Sequence, residues 1–159
     1  MWHKKNNKSI PFWVAVETWD FGVMSKYFTN LNGKYQEKIC DRLDVPNKKI
    51  LSGWLDTINT LRNRCAHHSR IWNWASANAV HMFNVEYFDR LNLCLDARKR
   101  VYGLICILWY LVKKIGPRST WINDVASLID NKPAIACCPY TSMGFPDNSG
   151  FPRDKFVDF

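Results

Sequence analysis

Residues 47–74 read NKKILSGWLDTINTLRNRCAHHSRIWNW, and this stretch decides the fold. Ile50, Leu51, Trp54, Leu55, Ile58, Leu61 and Cys65 recur at steps of one, three and four. That spacing lays side chains along one stripe of an α-helix. A half-buried strand needs strict alternation instead, and such alternation is scarce along the chain. The stretch therefore predicts a long amphipathic helix starting near Asn47. Its end gathers Arg62, Asn63, Arg64, His67, His68, Ser69 and Arg70.

Working outward, helix signals recur on both sides. Upstream, Pro11 suits a first helical turn. Phe12 to Leu31 then carries Trp13, Val14, Val16, Phe21, Val23, Met24 and Phe28 at helical spacing. Gly22 interrupts this run at a cost of up to ~1 kcal/mol against Ala, which points to a kink or to close helix packing. Asn32-Gly33 is a stop, and a short helix over Lys34 to Leu43 is ended by Val45-Pro46. Downstream, Tyr87 to Lys114 reads as another long helix, stopped by Gly116-Pro117. Ser119-Thr120 can cap a last helix reaching Asn131. From Lys132 onward Pro and Gly recur, the mark of an irregular segment. The expectation is an all-α helical bundle over residues 1–131 with an irregular C-terminal tail over 132–159.

The formal charge of +8 is unevenly spread, with +9 over residues 1–115 and −1 over residues 116–159. A basic body attracts polyanions, RNA among them, and Lys26, Lys34, Lys38, Lys48 and Lys49 can contribute. An acidic protein partner would answer to the same charge. The first ten residues, MWHKKNNKSI, hold no apolar run of the kind a secretory leader carries. Cys65, Cys94 and Cys106 sit in apolar or helical patterns, which reads as buried thiols of a reducing, cytoplasmic compartment. The apolar run Val101–Val112 has twelve residues, short of the about 20 that span a bilayer, so a buried core helix and no membrane partner are expected. Rings are abundant, and the core is their expected place.

The chemistry-bearing residues are those at the end of the long helix. At 100° per residue Asn63 and His67 share one face, with Arg70 a turn beyond, while Arg62 lies about 140° from His67. Arg62 and His67 of one helix thus do not stack. They meet at one phosphate only if the helix end distorts or a second copy contributes. An imidazole with a pKa near about 6.5 can take a proton from a ribose 2′-OH or return one to a leaving 5′-oxygen. A guanidinium can hold the phosphate as charge grows on it. Asn63 can orient the His67 ring. These parts suffice for RNA cleavage without a metal or cofactor. They equally suit a solvated helix terminus stabilised by its dipole. No metal ligand set is expected, because His67 and His68 point to different faces and His3 and His81 are distant. No P-loop, GxGxxG, GxSxG or HExxH occurs, which argues against common NTPases, dehydrogenases, serine hydrolases and zinc proteases.

The same residues resemble a known family. Arg62-Asn63-x-x-x-His67 is similar to the Arg-x(4–6)-His signature of HEPN RNases. The surrounding SGWLDTINTLRNRCAHHSRIWN resembles a motif block of the abortive-infection (Abi-like, AbiD/AbiF-type) branch. PFWVAVETWDFGVMSKYFTNL resembles its upstream block, with Trp13, Glu17, Phe21-Gly22 and Ser25. Met143-Gly144-Phe145-Pro146 is similar to its C-terminal element. The resemblance implies a HEPN-type bundle and an endoribonuclease of a phage-defence, toxin–antitoxin-like system. Arg62 and His67 would be catalytic, and Asn63, Arg64, His68, Arg70 and Glu17 supporting. It also implies a homodimer that brings two motifs face to face, with RNA as substrate or as a regulatory non-coding partner. Family members commonly carry a further helical region before the PFW block, so the chain resembles a C-terminal part. Position 74 holds Trp where a basic residue is expected. The alternative is a non-catalytic RNA-binding or interaction module.

Overall fold

The computed structural model describes residues 10–157, and among these every regular element is helical. Seven α-helices follow one another: α1 (Phe12–Glu17), α2 (Phe21–Asn30), α3 (Gly33–Arg42), α4 (Lys48–Ala66), α5 (Glu86–Leu91), α6 (Val101–Ile115) and α7 (Trp121–Asp130). Short 3-10 turns cover Ala97–Lys99, Tyr140–Met143 and Arg153–Phe156. The all-α expectation holds.

Local chemistry explains the starts. The Asn47 side chain accepts from the N–H groups of Lys49 and Ile50, which sets the first turn of α4. Asn32 caps α3 through the Lys34 N–H in the same way. The apolar stripe of α4 turns inward, with Ile50, Leu51, Trp54 and Ile58 buried. Helix α6 is the centre of the core, buried almost all round from Val101 to Leu111. No helix among the described residues is long and apolar enough to cross a membrane.

Several expectations need correction. The first helix breaks before Gly22: α1 closes at Thr18, and Asp20 accepts from the Val23 N–H at 2.8 Å to start α2. Gly22 instead provides close packing, since a Cβ there would stand 3.3 Å from Asn59 Oδ1 on α4. The expected helix from Tyr87 to Lys114 is two helices, because Asn92 takes a left-handed φ of 45° and ends α5. Gly103 then lets α6 approach the backbone of Ala97 and Arg98, where a Cβ would stand 2.8 Å from both the Ala97 O and Arg98 Cα atoms. Cys106 is buried as expected, but Cys65 and Cys94 are exposed. Cys65 lies beyond the part of the α4 stripe that the core covers.

The segment after residue 131 is irregular yet contributes to the core through Phe145, Phe151 and Phe156. Phe145 stacks on Tyr102 with centroids 4.3 Å apart. Gly144 makes this possible: its φ is 92°, and a Cβ would stand 2.9 Å from Arg100 Cβ. Arg100 also donates to the Ser142 carbonyl at 3.0 Å. Trp54 anchors the other side, donating from Nε1 to the His81 carbonyl at 2.7 Å while its ring meets Phe83, Phe88 and Tyr110. Burial pushes the Tyr110 hydroxyl up to about 12, and that hydroxyl donates to the Asp44 carbonyl.

Candidate functional site

Helix α4 ends in a tight reversal built by its own backbone. Ala66 is the last helical residue and His67 is the C-cap. His68 then takes a left-handed φ of 51°. The Ser69 N–H donates to the Arg64 carbonyl at 2.8 Å, and the His68 N–H donates to the Cys65 carbonyl at 3.0 Å. These two bonds form a Schellman closure, with histidine in the position that glycine usually takes. Arg70 is therefore not a further turn of the same helical face, as the spacing suggested. It lies beyond the reversal.

Arg62, Asn63, His67, His68 and Arg70 are all exposed around this helix end. Arg62 Nη1 donates to Asn63 Oδ1 at 3.0 Å. That bond commits the Asn63 oxygen to the guanidinium, while the Asn63 backbone carbonyl accepts from the His67 N–H at 3.0 Å. The His67 ring has no hydrogen-bond partner among the described residues. Arg64 behaves differently. Its Nη2 donates to the Arg70 carbonyl at 2.9 Å and its guanidinium lies 4.8 Å from the Trp74 ring centroid. Arg64 thus ties the loop that follows α4, and Trp74 supplies its apolar seat. Glu17 ends α1 and is exposed, and its side chain has no hydrogen bond or ion pair among the described residues. Among these residues no three His, Cys, Asp or Glu side chains are grouped to hold a metal ion.

Helix α2 supports the site from the side. Ser25 Oγ donates to Asp56 Oδ1 at 3.3 Å, and Gly22 abuts Asn59. The two helices therefore run antiparallel. Helices α1 and α2 share an aromatic cluster. Trp19 and Tyr27 pack at 4.8 Å, Phe12 joins both rings, and Trp13 is 72% exposed. The sequence reading assigned rings to the core. The break at Thr18–Asp20 between α1 and α2 is the local signal for their exposure.

Among known proteins, a family model described as Abi-like protein matches residues 1–73. No curated protein and no solved structure matches the chain significantly. The matched span carries α1 to α4 together with Arg62 and His67, while Met143–Pro146 lies outside it. The match supports an abortive-infection-related role. Over residues 1–73, the chain is similar to the Abi-like protein family.

Proposed function

We propose that the chain is a metal-independent endoribonuclease acting in abortive infection, with Arg62 and His67 as its catalytic groups. The observation that carries this reading is the exposed imidazole of His67 beside the exposed Arg62–Asn63 pair at the closed end of α4. His67 takes the proton of a ribose 2′-OH, the 2′-oxygen attacks phosphorus, and the bond to the 5′-oxygen breaks. A protonated imidazole returns a proton to that leaving oxygen. Products end in a 2′,3′-cyclic phosphate and a 5′-hydroxyl. Arg62, oriented by Asn63, offsets the charge that grows on the phosphoryl oxygens.

The separation of about 140° around α4 favours Arg62 of one copy working with His67 of a second, so the active form is a homodimer. His68 and Arg70 extend the surface that meets substrate. Trp13 and Phe12 offer rings on which unpaired bases stack.

The test is cleavage of a single-stranded RNA in EDTA by the wild type, His67→Ala and Arg62→Ala. The wild type should cut, and each variant should lose at least about a hundredfold in rate. A 2′-deoxy nucleotide at the scissile position should block cutting. If all three proteins bind RNA alike and none cuts it, the chain is an RNA-binding module instead.

A further inference from the structure

An open depression of about 460 Å³ lies where the end of α2 and the first turns of α3 and α4 meet. Thr29, Gln36, Lys48, Lys49 and Ser52 line it, two positive charges and no carboxylate among the described residues. Gln36 builds the wall. Its side chain is buried, and Nε2 donates to the Phe28 carbonyl at 2.9 Å and to the Thr29 carbonyl at 3.2 Å, which ties α3 to the end of α2. Gly33 keeps the edge clear, since a Cβ there would stand 3.4 Å from the Lys48 ammonium. The polar groups are uncommitted. Lys48 and Lys49 are exposed, and their side chains make no ion pair or hydrogen bond among the described residues. Lys114 and Lys132, by contrast, are held by Asp44 and by the Cys138 carbonyl. Ser52 Oγ also has no partner among the described residues, although Thr57 and Thr60 on the same helix donate to the Gly53 and Asp56 carbonyls.

The helix itself links this depression to the Arg62–His67 end. Lys49 and His67 stand about five whole turns apart on α4, so they leave the axis in one direction, separated by about 27 Å. Helix α2 packs on the middle of that face through Ser25–Asp56 and Gly22–Asn59, and it exposes Lys26 and Tyr27. The carboxylate nearest Ser52 along α4, Asp56, is engaged by Ser25 Oγ, and Glu37, next to Gln36 in the chain, does not line the depression.

We propose that the Lys48–Lys49 depression holds the phosphate backbone of the single-stranded RNA that meets His67, so that the chain prefers a strand long enough to reach both ends of α4. This rests on the reading of RNA as substrate. Two ammonium groups hold phosphates without regard to base, and Ser52 adds a hydroxyl donor. At about 3.4 Å per stacked nucleotide, the span takes about eight nucleotides.

The test separates binding from cleavage. Binding of fluorescein-labelled 12- and 4-nucleotide single-stranded RNAs of mixed sequence is measured by anisotropy in His67→Ala, which lacks the proposed general base. The 12-mer should bind at least about tenfold more tightly than the 4-mer. Adding Lys48→Gln and Lys49→Gln should remove most of that advantage and flatten the dependence of log Kd on log salt by about 1.4, the counterion release of two phosphates. Adding Lys99→Gln and Lys155→Gln instead removes the same charge outside the depression and should keep the advantage. Melting temperatures should stay level, because Lys48 and Lys49 are exposed at the positive end of α4. In the chain with His67 intact, replacing Lys48 and Lys49 should lower kcat/KM on the 12-mer by at least about tenfold. Equal 12-mer affinity and salt dependence with and without the two lysines overturns the proposal, even where the wild type cuts RNA. So does an equal loss in the Lys99 and Lys155 control, or full displacement of the 12-mer by about 1 mM UMP or inorganic phosphate. A 12-mer held through Lys48 and Lys49 but cut by no form of the chain leaves the RNA site standing and overturns only the nuclease reading.

Discussion

The Arg64 guanidinium lies over the ring of Trp74, 4.8 Å from its centroid, and joins the start of the site loop to its far end. A tryptophan at a position where a cation was expected thus seats a cation supplied by α4. The arginine-rich end of the helix divides its work: Arg64 holds the loop, and Arg62 stays available.

That division predicts opposite effects of two arginine deletions. Arg64→Ala should lower unfolding free energy by about 1–2 kcal/mol, through loss of the Arg70 hydrogen bond and the ring contact. Arg62→Ala should stay within about 0.5 kcal/mol of wild type, because its side chain is exposed. Urea denaturation of both variants checks this. Equal destabilisation would contradict the assignment.

The left-handed His68 makes a second prediction. A β-branched residue tolerates positive φ poorly, so His68→Val should cost about 1–2 kcal/mol. His68→Gly should be neutral or stabilising by up to about 1 kcal/mol, since glycine accepts this conformation freely. Melting temperatures of the two variants should move in different directions or differ by several degrees.

Asp130 clasps the C-terminal segment, accepting from the Phe151 N–H at 2.8 Å and pairing with Arg153. Burial acts to raise its pKa, but the Phe151 and Arg153 hydrogen bonds and the Arg153 charge outweigh it and hold the carboxyl below its ordinary value. A folded-state pKa below the unfolded one stabilises the fold above the unfolded value, about 3.9, and that contribution fades as pH falls through the folded value. Asp130→Asn should therefore be less stable than wild type by about 1 kcal/mol at pH 7, a modest figure because the pair is partly exposed. The gap should shrink below about pH 4. A gap independent of pH would rule out the charged clasp.

Tyr102 is fully buried and its hydroxyl has no hydrogen-bond partner among the described residues. Removing an unsatisfied hydroxyl while keeping the ring on Phe145 should help the fold. Tyr102→Phe is expected to raise stability by about 1 kcal/mol, measured by denaturant titration. A loss of stability would mean that the hydroxyl does find an acceptor in solution.

What was legible in the sequence was local and periodic. The inward stripe of α4 and its start near Asn47, the α3 helix and the burial of Val101 to Leu111 all follow from side-chain spacing. The place of Arg62 and His67 at the end of a helix followed from the same spacing. The remainder depended on contacts between residues far apart in the chain. Spacing did not reveal that the core stops short of Cys65, that Gly22 serves packing against Asn59, or that Arg64 lies on Trp74. Nor did it reveal that the Pro- and Gly-containing end supplies Phe145, Phe151 and Phe156 to the interior. Periodicity reports which face of a helix is apolar. Only the packed tertiary structure decides which neighbour covers that face, where a left-handed residue turns the chain, and which buried donors are left waiting.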